Sequence, residues 1–274
     1  MGKLVVHNQY EFHVQTYGKQ THPPLVFLHG FMGSGQDFTD AIANLVGKYF
    51  CVTVDLPGHG LTKVWGDETA YRMENTGAAL IGLLQTLNLE KCNLVGYSMG
   101  GRLALYLALI FPDYFNRVCL ESASPGLQTA EQRDRRVQHD LELAKKLETQ
   151  GFETFVHQWY AQPLFASARQ HSSFAQMISR RLGNNPLNLA MSLRNLGTGV
   201  QPNLWQKLSR LALPMLLLTG ERDLKFVTLN RQMSAHSGQM RLETAPKCGH
   251  NIHLENVALF VQKLNRFLSS NKIS

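Results

Sequence analysis

A serine flanked by glycines is the clearest candidate for chemistry in this sequence. Ser98 stands in Gly-Tyr-Ser-Met-Gly at residues 96–100, after a short apolar stretch and before a helical pattern that runs to Phe111. A serine on such a tight strand-to-helix turn presents its hydroxyl at the end of a sheet, and small glycines let the turn close without steric clash. The pattern therefore predicts a reactive serine rather than an incidental one in a glycine-rich turn.

A serine hydroxyl needs a neighbouring imidazole to take its proton, and the imidazole needs a carboxylate to fix its tautomer. When the serine lies on a strand–turn–helix element, the three residues follow the order serine, acid, histidine along the chain. His250 follows the last predicted strand, and Asp223 lies in the loop after the preceding strand. We predict a triad of Ser98, Asp223 and His250, with Glu221 and Glu121 as alternative acids.

Two backbone N–H groups close to the serine would stabilise a negatively charged oxygen during the reaction. Met99, the residue after the serine, supplies one of them, and Phe31, in the glycine-rich loop after the first buried strand, supplies the other. Two further histidines, His29 and His59, lie in turns that are rich in glycine or proline. Such turns need bracing by side chains, so we assign both histidines a structural role.

The elements that must position these residues alternate along the chain. Apolar runs typical of buried strands occur at residues 25–28, 50–54, 93–95, 117–120, 215–219 and 240–243, with helical patterns between several of them, including one at residues 37–46. The alternation predicts the α/β class, with a mostly parallel sheet flanked by helices. Together with the Gly-x-Ser-x-Gly turn and its flanking strand and helix, it is typical of the α/β-hydrolase fold. Residues 3–17 are predicted to form a hairpin that precedes this sheet.

The strand pattern stops between residues 124 and 208. This segment is helical, polar and aromatic. It contains one helix or a broken pair at 131–149, further helices at 152–160, 173–181 and 187–196, and a break at Asn184-Asn185-Pro186. We interpret it as a helical lid inserted into a single domain that spans residues 1–274.

The composition restricts the class of protein and of partner. Hydrophobic residues make up 44% of the chain and charged residues 17%, as in ordinary globular proteins, and the net charge is +7. Because the basic residues form no run and do not alternate with aromatic residues, a small anionic substrate is favoured over nucleic acid. Four widely spaced cysteines indicate buried free thiols in a reducing compartment. We expect a soluble cytoplasmic protein without a membrane span, a metal or a cofactor, and its oligomeric state is left open.

Over most of its length the sequence resembles the 2-succinyl-6-hydroxy-2,4-cyclohexadiene-1-carboxylate synthases of the menaquinone and phylloquinone pathways. The motifs at residues 29–30 and 96–98 are shared by the whole α/β-hydrolase superfamily, whereas the match at residues 97–102 and in the lid is more specific. The matching segments are residues 29–33, 55–60, 95–102, 124–128, 159–160, 162–163, 165–167, 200–202, 220–223, 249–251 and 255–256.

The resemblance implies an elimination instead of a hydrolysis. The family's substrate carries three carboxylates, and the enzyme removes a ring proton and releases pyruvate. Ser98, Asp223 and His250 match the family's triad, in which the serine, activated by the histidine, is the general base. The N–H groups of Phe31 and Met99 would then hold the developing oxyanion.

Three carboxylates in a partly dry pocket need cationic partners, and arginine offers a two-pronged one. Arg102 lies one helical turn after the serine, so it can point into the same pocket. The resemblance adds Arg136 and Arg181 of the lid as carboxylate ligands, and Tyr97 and Trp159 as residues that line the substrate site. The alternatives within the lid are Arg133, Arg135 and Arg180.

Two other functions remain open on the sequence. A carboxylesterase or C–C-bond hydrolase of the same fold would use the same triad, but neutral esters need an apolar pocket rather than arginines. A non-catalytic binding protein of this fold is the second alternative, and the intact triad argues against it. The discriminating observation is whether Arg102, Arg136 and Arg181 converge above Ser98.

Overall fold

The sheet predicted from the apolar runs is present in the computed structural model, which describes residues 2–270. The strand order is β1-β2-β4-β3-β6-β7-β8-β9, with β5 paired to β2. Strand β2 pairs antiparallel with each of its neighbours, and all pairings from β4 across to β9 in this order are parallel. The strands are β1 Gly2–His7, β2 Tyr10–Tyr17, β3 Pro24–Leu28, β4 Phe50–Val54, β5 Lys63–Val64, β6 Cys92–Tyr97, β7 Phe115–Glu121, β8 Met215–Gly220 and β9 Met240–Ala245.

Helices cover both faces of the sheet, so the predicted α/β class with a mostly parallel sheet is confirmed. The α-helices are α1 Thr39–Ala43, α2 Met73–Thr86, α3 Met99–Ile110, α4 Ala130–Thr149, α5 Phe152–Ala161, α6 Phe174–Leu182, α7 Pro186–Leu196, α8 Leu224–Ser234, α9 Ile252–Glu255 and α10 Val257–Ser269. Within residues 2–270, no helix has both the length and the apolar surface needed to span a bilayer.

The central strands are buried because they lie between two helical layers. All residues of β4, β6 and β8 are buried, as is usual for parallel strands covered on both sides. Side chains of β3 alternate between the two layers: Val26 and Leu28 belong to one hydrophobic cluster, and Leu25 and Phe27 to the other. The rigid sheet therefore carries the loops at its carboxyl edge.

Two helical regions differ from the prediction. The helix predicted at residues 37–46 is a 3-10 turn, Gly35–Phe38, followed by the short α1. Helix α8 was not predicted; it lies on the surface, with Leu224 exposed and only Asn230 and Met233 buried.

Helices α4 to α7 lie between β7 and β8, and we call residues 130–196 the insert. Its first helix is continuous and begins with a capping box formed by Thr129 and Gln132. The insert has a hydrophobic cluster of its own, which includes Phe155 and Leu189. Met32, from the loop after β3, is fully buried in the same cluster. We call the rest of the chain the sheet domain. The insert thus packs against the sheet domain close to the carboxyl edge of the sheet.

The cysteines are free and buried, as predicted. Cys51, Cys92 and Cys119 belong to β4, β6 and β7, and Cys248 lies in the loop after β9. Burial raises the pKa of the Cys51 and Cys92 thiols to about 12 and that of Cys248 to about 11. These thiols are therefore protonated at neutral pH.

Candidate active site

The turn between β6 and α3 holds Ser98 in a strained conformation, with φ 50° and ψ −107°. A Cβ atom on Gly96 would overlap the backbone of Gly100, and one on Gly100 would overlap the carbonyl of Leu28, so both positions require glycine. The backbone N–H of Ser98 donates to the carbonyl of Glu121 at 2.8 Å. The serine hydroxyl is thereby presented at the carboxyl ends of the parallel strands.

The structure brings Ser98, His250 and Asp223 into one hydrogen-bonded chain. His250 Nε2 lies 3.1 Å from Ser98 Oγ, and His250 Nδ1 lies 2.6 Å from Asp223 Oδ2. Both residues behind the serine are buried, and Asp223 also caps the start of α8. A carboxylate at Nδ1 keeps the proton on that nitrogen, so Nε2 is left to accept the proton of Ser98 Oγ.

Neither alternative acid contacts the histidine of the triad. The buried Glu121 carboxylate accepts from the backbone N–H groups of Ile252 and His253 and lies 2.7 Å from His253 Nδ1. Glu221 accepts from the backbone N–H of Lys247 at 2.8 Å. Both carboxylates hold loops at the edge of the sheet, which leaves the acid of the triad to the aspartate.

The peptide that carries the Phe31 N–H is held from its opposite side. The carbonyl of Gly30 belongs to the same planar peptide, and it accepts from His29 Nδ1 at 2.7 Å and from Gly33 N–H at 2.9 Å. Leu56 N–H donates to His29 Nε2 at 2.9 Å, so the proton of this imidazole is on Nδ1. Because N–H and C=O point in opposite directions in a trans peptide, these bonds orient the Phe31 N–H.

Met99 and His59 complete this part of the site. Met99 is the first residue of α3, so its N–H has no partner within the helix and lies next to the serine. His59 packs its ring edge-on against the ring of Phe31 at 5.5 Å, and its Nδ1 lies 3.1 Å from the carbonyl of Pro57. Burial lowers the pKa of His59 to about 3, so this side chain is neutral. Both loop histidines therefore act as braces here.

A cavity of about 580 Å³ opens above the serine. The ring of Tyr97 lies 5.5 Å from that of His250, and Trp159 of the insert lies 5.1 Å from Phe31. The predicted site residues in its lining are Ser98, Asp223, His250, Phe31, Met99, Tyr97, Trp159, Arg102 and Arg136. The walls thus come from both the sheet edge and the insert.

Arg102 is a buried cation in this cavity. Its side chain donates to Gln201 Oε1 at 3.2 Å, and no carboxylate of residues 2–270 forms an ion pair with it. Burial, and then the nearby charge of Arg136, lower the pKa of the Arg102 guanidinium to about 10. It remains protonated at neutral pH, and an anionic ligand would provide the missing countercharge.

Arg136 reaches the same cavity from α4. Its Nε lies 2.7 Å from Asp140 Oδ1, and Asp140 is buried. The other oxygen of Asp140 accepts from the backbone N–H of Gly199 at 3.3 Å. Asp140 therefore holds the Arg136 side chain and joins α4 to the loop after α7.

Arg181 does not line the cavity, contrary to the predicted role as a ligand of a substrate carboxylate. Its two terminal nitrogens donate to the two oxygens of Asp37 at 2.7 and 2.8 Å, and its Nε donates to Tyr160 Oη at 2.9 Å. Burial alone would raise the pKa of Asp37, but the Arg181 charge lowers it below its usual value. Arg181 joins α6 to the turn after the Phe31 loop. Arg133, Arg135 and Arg180 do not line the cavity either.

Several polar residues of the cavity wall were not predicted from the sequence. His139 lies on α4, and Arg222 and Lys225 flank the aspartate of the triad. Ser122 and Ser192 also line the cavity, with buried hydroxyls that have no hydrogen-bond partner within residues 2–270. The proximity of Arg222 and Lys225 to Asp223 in the sequence was a signal that could have identified them.

The comparisons with known proteins agree with this geometry. A family model for the alpha/beta hydrolase fold matches residues 23–257. The chain is 35% identical to a putative 2-succinyl-6-hydroxy-2,4-cyclohexadiene-1-carboxylate synthase of Bacillus subtilis (strain 168), over 97% of this chain and 98% of that protein. It is 33% identical to the synthase of Photorhabdus laumondii over 92% of this chain and 87% of that protein.

Solved structures give the same result. MenH from S. aureus superimposes with a TM-score of 0.89 at 34% identity, covering 93% of this chain and 97% of that one. Because the alignments cover nearly the whole of both chains, they include the insert as well as the sheet. The chain therefore belongs to the alpha/beta hydrolase family and, within it, to the 2-succinyl-6-hydroxy-2,4-cyclohexadiene-1-carboxylate synthases.

Proposed function

We propose that this protein eliminates pyruvate from 2-succinyl-5-enolpyruvyl-6-hydroxy-3-cyclohexene-1-carboxylate to give 2-succinyl-6-hydroxy-2,4-cyclohexadiene-1-carboxylate. The observation that carries the proposal is Arg102, a buried cation without a carboxylate partner among residues 2–270, in the cavity that contains Ser98. A substrate with three carboxylates would supply that partner, whereas a neutral ester would not. The names of the relatives support the same reaction.

The triad supplies the base. His250 Nε2 takes the proton of Ser98 Oγ, and Asp223 stabilises the imidazolium that forms. Ser98 Oγ then removes the proton from the ring carbon that bears the succinyl group. In this role the serine forms no bond to carbon, so no acyl-enzyme is expected.

The electrons of that C–H bond move towards the succinyl carbonyl, whose oxygen becomes negatively charged. The N–H groups of Phe31 and Met99 would donate to this oxygen. As the enolate collapses, the ring gains its second double bond and the bond between C5 and the enolpyruvyl oxygen breaks. The enolpyruvate that leaves accepts a proton from His250 by way of Ser98, at its methylene carbon, and is released as pyruvate, which returns the triad to its starting protonation state.

The cations of the cavity wall would bind the carboxylates. Arg102 and Arg136 are assigned to two of them, and Lys225 to the third in place of Arg181, since it lines the cavity and Arg181 does not. Tyr97 and Trp159 would pack against the ring of the substrate. In this proposal the chain acts as one domain, and the insert is a lid that excludes water from the enolate.

The test is the release of pyruvate by the purified protein without any added cofactor. We expect release of pyruvate from the enolpyruvyl substrate, measured through the oxidation of NADH by added lactate dehydrogenase. Ser98→Ala should lower kcat by about 10²–10⁴-fold, because it removes the general base. No pyruvate release together with rapid hydrolysis of simple esters would overturn the proposal in favour of a carboxylesterase.

A further inference from the structure

The loop that carries Phe31 continues into a backbone conformation that is unfavourable for its sequence. Met32 has φ +60°, in the left-handed region that glycine usually occupies. A residue with a long side chain stays in this region only where its surroundings hold it. The contacts of Met32 therefore determine the shape of the loop.

Those contacts come from the insert. The side chain of Met32 lies in the hydrophobic cluster of the insert, fully buried. Its carbonyl accepts a hydrogen bond from Asn184 Nδ2 at 2.9 Å. Asn184 lies between α6 and α7, at the break that the sequence marks with Asn184-Asn185-Pro186, and it is 8% exposed.

The amide of Asn184 is bound on both sides. Besides the Met32 carbonyl, its Nδ2 donates to the carbonyl of Arg181 at 3.0 Å. Its Oδ1 accepts from the backbone N–H of Gly60 at 2.9 Å. A rotated amide would set an oxygen against two carbonyls, so the three bonds fix one orientation. The side chain thus links the insert to two loops of the sheet domain.

We propose that Asn184 is a positioning residue for the reaction, which sets the Phe31 N–H donor of the oxyanion hole through its bond to the Met32 carbonyl. His29 and Gly33 hold the peptide of that donor on one side, and Asn184 anchors the next residue of the chain. The inference rests on the role of Phe31 in the proposed function. Since charge develops on the oxyanion only during the reaction, a displaced donor affects kcat rather than substrate binding.

The test compares Asn184→Asp with Asn185→Ala. The carboxylate that the first substitution introduces can still accept from Gly60 but cannot donate to Met32. Asn185 is the matched control, because its side chain caps α7 at Leu187 and Asn188. We expect Asn184→Asp to lower kcat about 10–100-fold with little change in KM, and Asn185→Ala to leave both unchanged. If Asn184→Asp does not fold, Asn184→Ala decides.

A second readout separates this inference from the proposed function. A fluorophosphonate probe reacts with a triad-activated serine and places its phosphoryl oxygen in the same oxyanion hole, whatever the natural substrate. Slower labelling of Ser98 in the Asn184 variants than in Asn185→Ala supports the positioning role even if the wild type releases no pyruvate. Equal kcat and equal labelling rates in all variants, or a rise in KM alone, would overturn the positioning role of Asn184. The proposed function would still be supported in that case if the wild type releases pyruvate. A wild type that neither releases pyruvate nor reacts with the probe overturns both.

Discussion

Arg102 and Arg181 are both buried arginines, but only Arg181 has a carboxylate partner among the residues that the structure describes. Arg102 lies in the cavity, with the amide of Gln201 as its hydrogen-bond partner. Arg181 lies at the junction between the insert and the sheet domain, bound to both oxygens of Asp37. Burial lowers the pKa of each guanidinium, yet the Asp37 charge more than reverses this for Arg181, whose pKa is raised.

Burial alone therefore does not identify a ligand-binding arginine. A guanidinium satisfied by a carboxylate of its own chain contributes to structure, and removing that carboxylate leaves an unpaired buried charge. A guanidinium that lacks such a partner is available to an anion from solution. A substitution that breaks the Asp37–Arg181 pair should therefore lower stability, whereas a substitution of Arg102 should lower activity.

The largest effect is expected at the junction. Asp37→Ala should lower the free energy of unfolding by about 3–5 kcal/mol, because Arg181 is left buried without a countercharge. Urea denaturation measures the change. The control is Arg194→Gln, which breaks a partly exposed ion pair with Glu148 in the same insert and should cost about 1 kcal/mol or less. Equal losses in the two variants would show that the buried Asp37–Arg181 pair contributes no more to stability than a partly exposed one.

The cavity should respond in activity. Arg102→Met should lower kcat/KM, because a substrate carboxylate loses a desolvated partner. The expected loss of transition-state stabilisation is about 2–5 kcal/mol. Its free energy of unfolding should be unchanged or higher, since an apolar side chain replaces a buried charge without a carboxylate. Pyruvate release and urea denaturation on the same preparation test both statements. A stability loss with normal kinetics would assign Arg102 to the structure instead.

The Asp37–Arg181 pair should also make stability depend on pH. The Arg181 charge holds the pKa of the Asp37 carboxyl below its usual value, so the contribution of this group is present above about pH 4 and is lost as the pH falls through the lower, folded-state value. The unfolding free energies of wild type and Asp37→Asn should therefore converge on acidification from about pH 6 to about pH 3. The pKa of Asp55 is also lowered, but by His13, His29 and backbone N–H groups rather than by Asp37, so its effect should cancel in the difference. A constant gap would contradict the assignment.

The fold and the triad could be predicted because their signals are local. The elbow needs only the spacing of Gly96, Ser98 and Gly100, and the order of strands then assigns Asp223 and His250 to the same edge of the sheet. The geometry agrees with that assignment, with both hydrogen bonds of the triad formed. Backbone rules of this kind hold without knowledge of distant contacts.

The roles of the lid arginines could not be predicted in the same way. Arg136 and Arg181 both lie on polar helices, and the sequence describes them alike. What separates them is Asp37, which is 144 residues away from Arg181 in the chain and reaches it only when the insert packs on the sheet domain. Lys225 was missed because helix α8, which carries it, was not predicted, although its proximity to Asp223 in the sequence was a signal.

The buried cysteines have a practical consequence. Thiolates, not thiols, react with alkylating reagents, and the raised pKa values and lack of exposure of these side chains keep the native protein unreactive. Alkylation thus requires that the surrounding structure open first. Because Cys51, Cys92 and Cys119 lie on three different strands and Cys248 precedes His250, the chain carries four native reporters. Peptide mapping after alkylation at rising urea concentration would give the order in which the sheet comes apart.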